Sequence, residues 1–312
     1  MNQPLNRRRF MECLGWGGTG LLWTVSGGLA SSVTLDQAMA ATATPKSGKV
    51  KPFTFLQISD SHIGFNKDAN ADTRVTYREA VAKIADLPVK PDLIIHTGDI
   101  TQLSKASEFD DADQILKAAG IDAFHVPGEH DMLDEGQGKL YLDRYGQGTK
   151  GDGWYSFDHS GVHFVGLITV KTLKAGGMGS LGADQLDWLK KDLSGRASSQ
   201  PVVVFTHFPM WAAYQPWGWG VDDADQAMAL LARFGSITML SGHIHQVMQK
   251  VEGNVAFYTA RSTAFPQPAP GTAPGPGPMK VPAEALRSVL GVREVSLVRG
   301  QHALAVVDTT LA

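Results

Sequence analysis

Short apolar runs recur through the middle of the chain, at residues 53–59, 93–97, 121–126, 202–205 and 237–240. Most of them lack the alternation of apolar and polar residues that a half-exposed strand shows. Continuous runs of this length are typical of strands covered on both faces, as in a parallel sheet. We therefore expect a mainly parallel sheet at the centre of the fold.

Segments with apolar residues at helical spacing separate these runs. One set lies before Pro88 and comprises Tyr77, Val81, Ile84 and Leu87. A second set lies before Gly120 and comprises Phe109, Ala112, Leu116 and Ala119. The same periodicity predicts helices around residues 186–193 and 227–234. Alternating strands and helices predict an α/β fold, in which ligands bind beyond the carboxyl ends of the strands.

The remaining segments predict hairpins and two irregular stretches. The hairpins pair residues 154–158 with 162–170, 247–251 with 255–258, and 294–298 with 303–307. Residues 211–220 place three Trp and one Tyr among Gly and Pro, which predicts an ordered loop. Residues 266–278 are rich in Pro and Gly without periodicity, which predicts an extended segment outside the core.

Side chains able to bind a metal follow each of the five apolar runs. In chain order they are Asp60 and His62, then Asp99, then Glu129, His130 and Asp131, then His207, and finally His243 and His245. Because the carboxyl ends of parallel strands meet at one edge of a sheet, we expect one site. Structural roles, as buried His or helix-capping Asp, would require a coincidence at every strand end. Imidazole and carboxylate ligands without thiolate suit Mn, Fe, Zn or Co in a two-metal site.

The first forty residues predict an export signal. Residues 6–11 read Asn-Arg-Arg-Arg-Phe-Met and resemble the twin-arginine motif; a weakly apolar stretch and the small-residue site Ala38-Met39-Ala40 follow. An ordinary secretory signal or an uncleaved anchor is the alternative. The prediction gives a periplasmic or secreted protein, the twin-arginine export machinery as a partner, and no stable membrane span in the mature form.

Length and composition are those of a soluble globular protein. The chain has 312 residues, 43% hydrophobic and 19% charged. We expect a signal peptide at residues 1–40, a flexible leader at 41–52 and one domain at 53–265. Residues 266–312, the Pro/Gly-rich segment and a C-terminal hairpin, are expected to pack on that domain.

Charge and cysteine content exclude some functions. Removing residues 1–40 takes away Arg7, Arg8 and Arg9 together with Glu12 and Asp36, so the net charge changes from −3 to −4. No basic stripe remains to bind duplex nucleic acid. Cys13, the single cysteine, lies inside the predicted signal, so neither a disulfide nor a thiolate ligand is expected in the mature protein.

The ordered set Asp-x-His, Gly-Asp, Gly-x-His-Asp, His and Gly-His-x-His resembles the calcineurin-like metallophosphoesterase family over residues 53–260. The resemblance implies a four-layer α/β/β/α sandwich of two packed mixed sheets flanked by helices. It also implies hydrolysis of a small-molecule phosphate ester. The set looks most like the bacterial cyclic-nucleotide and glycerophosphodiester branch, which favours phosphodiesters. A phosphomonoesterase and a binding scaffold that has lost catalysis are the alternatives.

The same resemblance implies a role for each motif residue. Asp60, His62 and His245 would bind one ion, His207, His243 and Glu129 the other, and Asp99 would bridge both. A hydroxide between the ions would attack phosphorus. His130 would stabilise the transition state or protonate the leaving oxygen, and Asp131 would orient His130.

Two positions depart from family patterns. Glu129 stands where Asn is usual, which gives three carboxylates with Asp60 and Asp99 and leaves open a mononuclear or slower enzyme. Glu129 could also point outward or contact only a ligand. Gln102 stands where purple acid phosphatases have Tyr, so no tyrosinate-iron colour is expected.

Two further groups of residues carry weaker signals. His96 and His125 lie inside predicted strands and are interpreted as structural. The aromatic residues of the 211–220 loop either anchor the loop or form a lid that stacks on an aryl or nucleobase leaving group.

Overall fold

The computed structural model describes residues 21–26, 29–34, 53–171, 173, 177–297 and 304–312. The arginines of the predicted signal, its cleavage site and the predicted leader lie outside these residues. Within the predicted signal, two short strands pair antiparallel. No helix among the described residues is long and apolar enough to cross a membrane.

The described residues form strands that we number in chain order. They are β1 (Leu21–Ser26), β2 (Leu29–Thr34), β3 (Phe53–Ile58), β4 (Leu93–His96), β5 (Ala123–His125), β6 (Tyr155–His159), β7 (Val162–Gly166), β8 (Val202–Thr206), β9 (Ile237–Ser241), β10 (Met248–Glu252), β11 (Val255–Thr259), β12 (Gly291–Leu297) and β13 (Ala305–Thr310). The α-helices are α1 (Thr73–Ala85), α2 (Ala106–Leu116), α3 (Lys139–Tyr145), α4 (Ala183–Leu193), α5 (Ala224–Leu231) and α6 (Leu286–Val289).

Two mixed sheets carry the fold, as the family resemblance predicted. One has the order β13-β12-β3-β4-β5, with β3, β4 and β5 parallel. The other has the order β10-β11-β9-β8-β7-β6, with β7, β8, β9 and β11 parallel. The five apolar runs of the sequence form β3, β4, β5, β8 and β9. Each predicted hairpin forms an antiparallel pair of strands, with bounds shifted by a few residues. One strand of each hairpin, β7, β11 or β12, also pairs with a strand formed by an apolar run.

The sheets pack face to face through alternate side chains. Phe55 and Ile95 point into the space between the sheets. There the rings of Phe55 and Phe164 contact edge-on, with their centroids 5.2 Å apart. Leu56 and Ile94 point the other way and pack with the buried residues of α1 and α2. Helices α4 and α5 bury their apolar faces with the strands of the six-stranded sheet. Each large apolar side chain buried in this way contributes about 1.5–3 kcal/mol of transfer free energy.

The C-terminal strands β12 and β13 are part of the five-stranded sheet. β12 lies between β13 and β3, so it shields an edge of β3 that would otherwise be unpaired. Sequence periodicity predicted the β12–β13 hairpin but not the strand that receives it.

A buried arginine joins the two sheets. Arg293 on β12 is fully buried and donates to Gln57 on β3 (3.1 Å), to Asp308 on β13 (2.9 Å) and to the carbonyl oxygen of Thr259 on β11 (2.9 Å). Gln57 in turn donates to the carbonyl oxygen of Ser241 at the end of β9 (3.1 Å). The guanidinium and the amide together fix the spacing of the sheets directly below the strand ends.

Replacing Arg293 with Ala should lower the free energy of unfolding by about 3 kcal/mol, because it leaves Asp308 and two buried acceptors without a donor. Urea unfolding measures this loss. Arg287→Ala is the matched control: its ion pair with Glu79 is more than one third exposed on both sides and should cost at most about 1 kcal/mol. Equal losses in the two variants would contradict the bridging role.

Candidate metal centre

The nine side chains predicted from the sequence gather at one rim of the sandwich. Asp60 and His62 follow β3, Asp99 follows β4, His207 follows β8, and His243 and His245 follow β9. Residues 129–131 lie in a 3-10 turn after β5. Both sheets therefore contribute to the same site, since their parallel strands end on the same side.

The ligand atoms form two groups that share a carboxylate. One ligand atom from each of Asp60, His62 and His245 lies within 4.8 Å of the other two, and the same holds for Glu129, His207 and His243. Asp99 Oδ2 lies 3.4 Å from His62 Nε2 in one group and 3.4 Å from His207 Nε2 in the other. Asp99 thus occupies the position between the groups that the resemblance implied.

Five of these residues adopt backbone conformations that L-residues rarely use. The φ angles are 53° at Asp60, 41° at His62, 50° at Asp99, 69° at His243 and 55° at His245. Such conformations cost on the order of 1 kcal/mol each and persist only where the surroundings impose them. Here the loops after β3 and β4 bond to each other, with Asp60 N donating to Gly98 O (3.0 Å) and His62 N to Asp99 O (2.9 Å).

Glycine is required where these loops approach most closely. A Cβ atom on Gly128 would lie 2.1 Å from Asp99 Oδ1, and one on Gly242 would lie 2.2 Å from Ser59 Oγ. Both glycines belong to the motifs of the sequence, so their spacing reflects close approach of the backbone to the ligands.

Hydrogen bonds orient the histidine rings. His207 Nδ1 donates to the carbonyl oxygen of Thr97 (2.7 Å), and His245 Nδ1 donates to that of Phe265 (2.6 Å). In their neutral forms both rings therefore direct an Nε2 lone pair into the site. Burial, opposed by Asp99, lowers the pKa of His62 to about 3, so the His62 ring is neutral. His62 Nε2 and His245 Nε2 lie 3.2 Å apart, where two lone pairs repel unless a cation lies beside them.

Four polar atoms of the cluster are buried without a hydrogen bond. They are Asp60 Oδ2, Glu129 Oε2, His207 Nε2 and His243 Nδ1. Glu129 Oε2 lies 2.8 Å from His207 Nε2 and Glu129 Oε1 lies 3.0 Å from His243 Nδ1, yet neither pair has hydrogen-bond geometry. Buried polar atoms are rarely left unpaired. Converging nitrogen and oxygen donors of this kind fit a transition-metal ion.

The charge of the cluster also favours a cation. Burial opposes the ionisation of Asp60 and Glu129, but neighbouring histidines outweigh it and hold the pKa of both carboxyls below the usual range. Burial likewise disfavours charge on His207, yet Asp99 and Glu129 raise its pKa well above its usual value. The carboxylates that hold a proton on His207 in the metal-free chain are the groups that attract a metal ion.

Glu129 faces the cluster. Its carboxylate lies between His207 and His243, and its side chain is 27% exposed. An outward orientation is therefore wrong for this residue.

The structure corrects the role expected of Asp131. Its carboxylate accepts hydrogen bonds from Ile100 N, Thr101 N, Thr101 Oγ1 and Gly128 N at 2.8–3.0 Å, none of which belongs to the His130 ring. Asp131 therefore ties the loop after β4 to the turn after β5. Adjacent residues of a tight turn point in different directions, so the sequence neighbours Asp131 and His130 do not pair.

Gln102 performs the orienting role, which sequence reasoning missed. Its backbone oxygen accepts from His130 Nδ1 (2.8 Å), and its side-chain oxygen lies 3.1 Å from His62 Nδ1. Its sequence signal is its position three residues after Asp99, where purple acid phosphatases have Tyr.

An open cleft of about 540 Å³ leads to the cluster. His130, Glu129, His243 and His245 line its floor, and none of the aromatic residues of the 211–220 loop lines it. Trp217 and Trp219 are buried instead and pack with Ile244, between the two histidines after β9. Loop anchoring is thus the correct interpretation, and the lid is wrong.

Residues 53–247 match the family model described as calcineurin-like phosphoesterase, which covers more than half of the chain. The chain belongs to the calcineurin-like phosphoesterase family. Calcineurin-like phosphoesterases use divalent metals, and the two groups of ligand atoms described above supply side chains that fit them.

Curated relatives are phosphodiesterases by name. The chain is 24% identical over 231 residues to a probable glycerophosphodiester phosphodiesterase of Arcobacter nitrofigilis, covering 66% of this chain and 77% of the relative. It is 22% identical over 223 residues to a 3',5'-cyclic-nucleotide phosphodiesterase of Nostoc sp., covering 69% and 79%.

Solved structures show the same fold at low identity. A dimetal phosphatase from Danio rerio superposes with a TM-score of 0.61 at 17% identity and covers 83% of this chain and 98% of its own. A purple acid phosphatase from yellow lupin gives 0.59 at 12% identity, covering 91% and 54%. The α/β sandwich is thus shared with these two phosphatases. The enzyme is a hydrolase of phosphoric esters.

Changing Glu129 to Asn keeps an oxygen ligand but removes one buried negative charge. We expect the affinity for Mn²⁺ or Zn²⁺ to fall by about tenfold, because ligand charge sets much of the affinity of a cation site. Isothermal titration of the metal-free protein measures the change.

His207→Ala should weaken binding further, because it removes a nitrogen ligand and leaves Thr97 O without its donor. His159→Ala is the matched control, since His159 lies on β6 outside the cluster. If all three variants bind metal like the wild type, the proposed ligands are wrong.

Proposed function

We propose that this chain hydrolyses small phosphodiesters with two transition-metal ions bound at the described cluster. The observation that supports this most is the arrangement of seven ligand side chains in two groups that share Asp99. The curated relatives named above are phosphodiesterases, which favours diesters over monoesters.

Each group of ligands would hold one ion. Asp60, His62 and His245 would bind the first, Glu129, His207 and His243 the second, and Asp99 both. Mn, Fe, Zn and Co all fit these donors. When bound, the ions supply Lewis-acid activation of water and neutralise charge on the phosphoryl oxygens.

His130 would act on the leaving group. It lines the cleft, and its Nδ1 donates to the backbone oxygen of Gln102. Nε2 of the protonated ring would then hold the proton for the leaving oxygen. The His130 backbone N–H donates to Asp99 Oδ1 (2.9 Å), which fixes the ring relative to the shared carboxylate. Asp131 acts as a positioning residue through the backbone of residues 100, 101 and 128.

Hydrolysis of bis-p-nitrophenyl phosphate in added Mn²⁺ should exceed that of p-nitrophenyl phosphate in kcat/KM, and a chelator should abolish both. Release of p-nitrophenol measures the rates, and elemental analysis measures bound metal. Well under one ion per chain with no turnover of either ester would refute the enzyme. Faster turnover of the monoester would refute the diester preference, and bound metal without turnover would favour a binding scaffold.

The proposal includes export through the twin-arginine route, supported by residues 6–11 and the apolar stretch that follows. Changing Arg7, Arg8 and Arg9 together to Lys keeps the positive charge that an ordinary secretory signal needs but removes the arginine pair. We expect the variant to stay in the cytoplasm, as an immunoblot of cell fractions would show. Undiminished export would instead support the ordinary secretory route.

A further inference from the structure

The Pro/Gly-rich segment forms a closed loop beside the metal centre. We name residues 266–279 the proline loop. Met279 N donates to Pro266 O (2.9 Å), so the ends of the loop meet, and Pro266 and Gln267 are buried at its base. The sequence predicts that this segment lies outside the core, but the two residues at its base are buried. It also lies beyond the residues that match the family.

Gln267 attaches this loop to a candidate metal ligand. Its Nε2 donates to the backbone oxygen of His243 (2.8 Å), and its Oε1 accepts from Gly277 N (3.2 Å). Gln246 adds bonds from its own Nε2 to the backbone oxygens of Gln267 (3.1 Å) and Pro268 (2.7 Å). The tip of the proline loop is therefore held at a fixed place relative to the turn after β9.

The proline loop builds one wall of the cleft. Pro276, Gly277 and Pro278 line the cleft together with Lys280, which follows the loop. The turn after β3 supplies another wall, with Phe65, Lys67, Asp68 and Ala69. The proline residues have restricted backbones, so this wall changes shape little when a ligand binds.

The side-chain ammonium groups of Lys67 and Lys280 lie at the rim of the cleft. Lys280 Nζ lies 3.3 Å from Asp68 Oδ2, but the side chains are 69% and 87% exposed, so water screens the pair and it contributes little. Lys67 forms no ion pair with any residue that the structure describes. Apart from the candidate ligands and His130, the cleft thus carries two cationic side chains and one anionic one.

We propose that Lys67 and Lys280 select phosphodiesters whose second ester group carries a further negative charge, such as a carboxylate or a phosphate. This inference rests on the proposed function and specifies its substrate class. When the scissile phosphate lies at the metal centre, the anionic group of the second ester lies toward the rim of the cleft. There the Lys280 ammonium leaves Asp68 and pairs with this anionic group. The proline loop sets the distance between the two positions.

A matched series of p-nitrophenyl phosphodiesters tests the proposal. Their second ester is carboxymethyl, methoxyethyl or aminoethyl, so that size is similar and the main difference is the distal charge. We expect kcat/KM to be highest for the carboxymethyl ester and lowest for the aminoethyl ester, mainly through KM. Lys67→Ala and Lys280→Ala should each reduce the carboxymethyl-to-aminoethyl ratio about fivefold, and high salt should reduce it in the wild type.

Lys190→Ala is the matched control, because Lys190 is an exposed lysine of α4 outside the cleft; its ratio should equal that of the wild type. Gln267→Ala should lower the ratio with unchanged bound metal, because it releases the proline loop. Loss of bound metal in that variant would show that Gln267 acts on the metal centre through His243, and would contradict its role in placing the proline loop.

Equal kcat/KM for the three esters, or an unchanged ratio in both lysine variants, would overturn the selection of anionic substrates while hydrolysis of diesters stands. No turnover of any of the three, with bis-p-nitrophenyl phosphate also inert, would overturn both proposals together.

Discussion

Mutual repulsion among three closely spaced carboxylates, Asp60, Asp99 and Glu129, is the constraint on which the rim of this protein depends. Charges removed from water and placed within a few ångströms of one another destabilise a fold unless a cation or a proton offsets them. The surrounding histidines supply part of that compensation, and their rings are held by backbone carbonyl oxygens of Thr97 and Phe265. Left-handed backbone at five ligand positions is a further cost that the same loops carry. The centre is preorganised for a cation by structure that would otherwise be unfavourable.

Much of this architecture follows from the sequence, because buried parallel strands appear in it as continuous apolar runs. Continuous apolar runs located the strands, and the polar residues after each run located the site, since the chain can place Asp and His together only where strands end. The periodicity of the sequence does not indicate which strands pair with each other. The insertion of β12 beside β3 depends on contacts between residues more than two hundred positions apart.

Three glutamines show why the rest of the site could not be predicted. Gln57 links the sheets, Gln102 orients His62 and His130, and Gln267 holds the proline loop to His243. An amide has no charge and no fixed spacing to a ligand, so nothing in the sequence distinguishes these glutamines from exposed ones. Asp131 shows the opposite error, in which a chemically prominent residue was assigned to its sequence neighbour although its oxygens are used by backbone N–H groups.

The position of β12 has a consequence for how the chain can be divided. The family match ends at residue 247, yet β3, which leads directly to Asp60 and His62, has β4 on one side and β12 on the other. A fragment ending at the family boundary would turn β3 into an edge strand with a row of unpaired apolar and backbone groups, the kind of surface on which chains associate by strand addition. It would also lack Arg293. The smallest unit that keeps β3 in the interior of its sheet therefore extends to β12, well past the boundary that similarity alone would suggest.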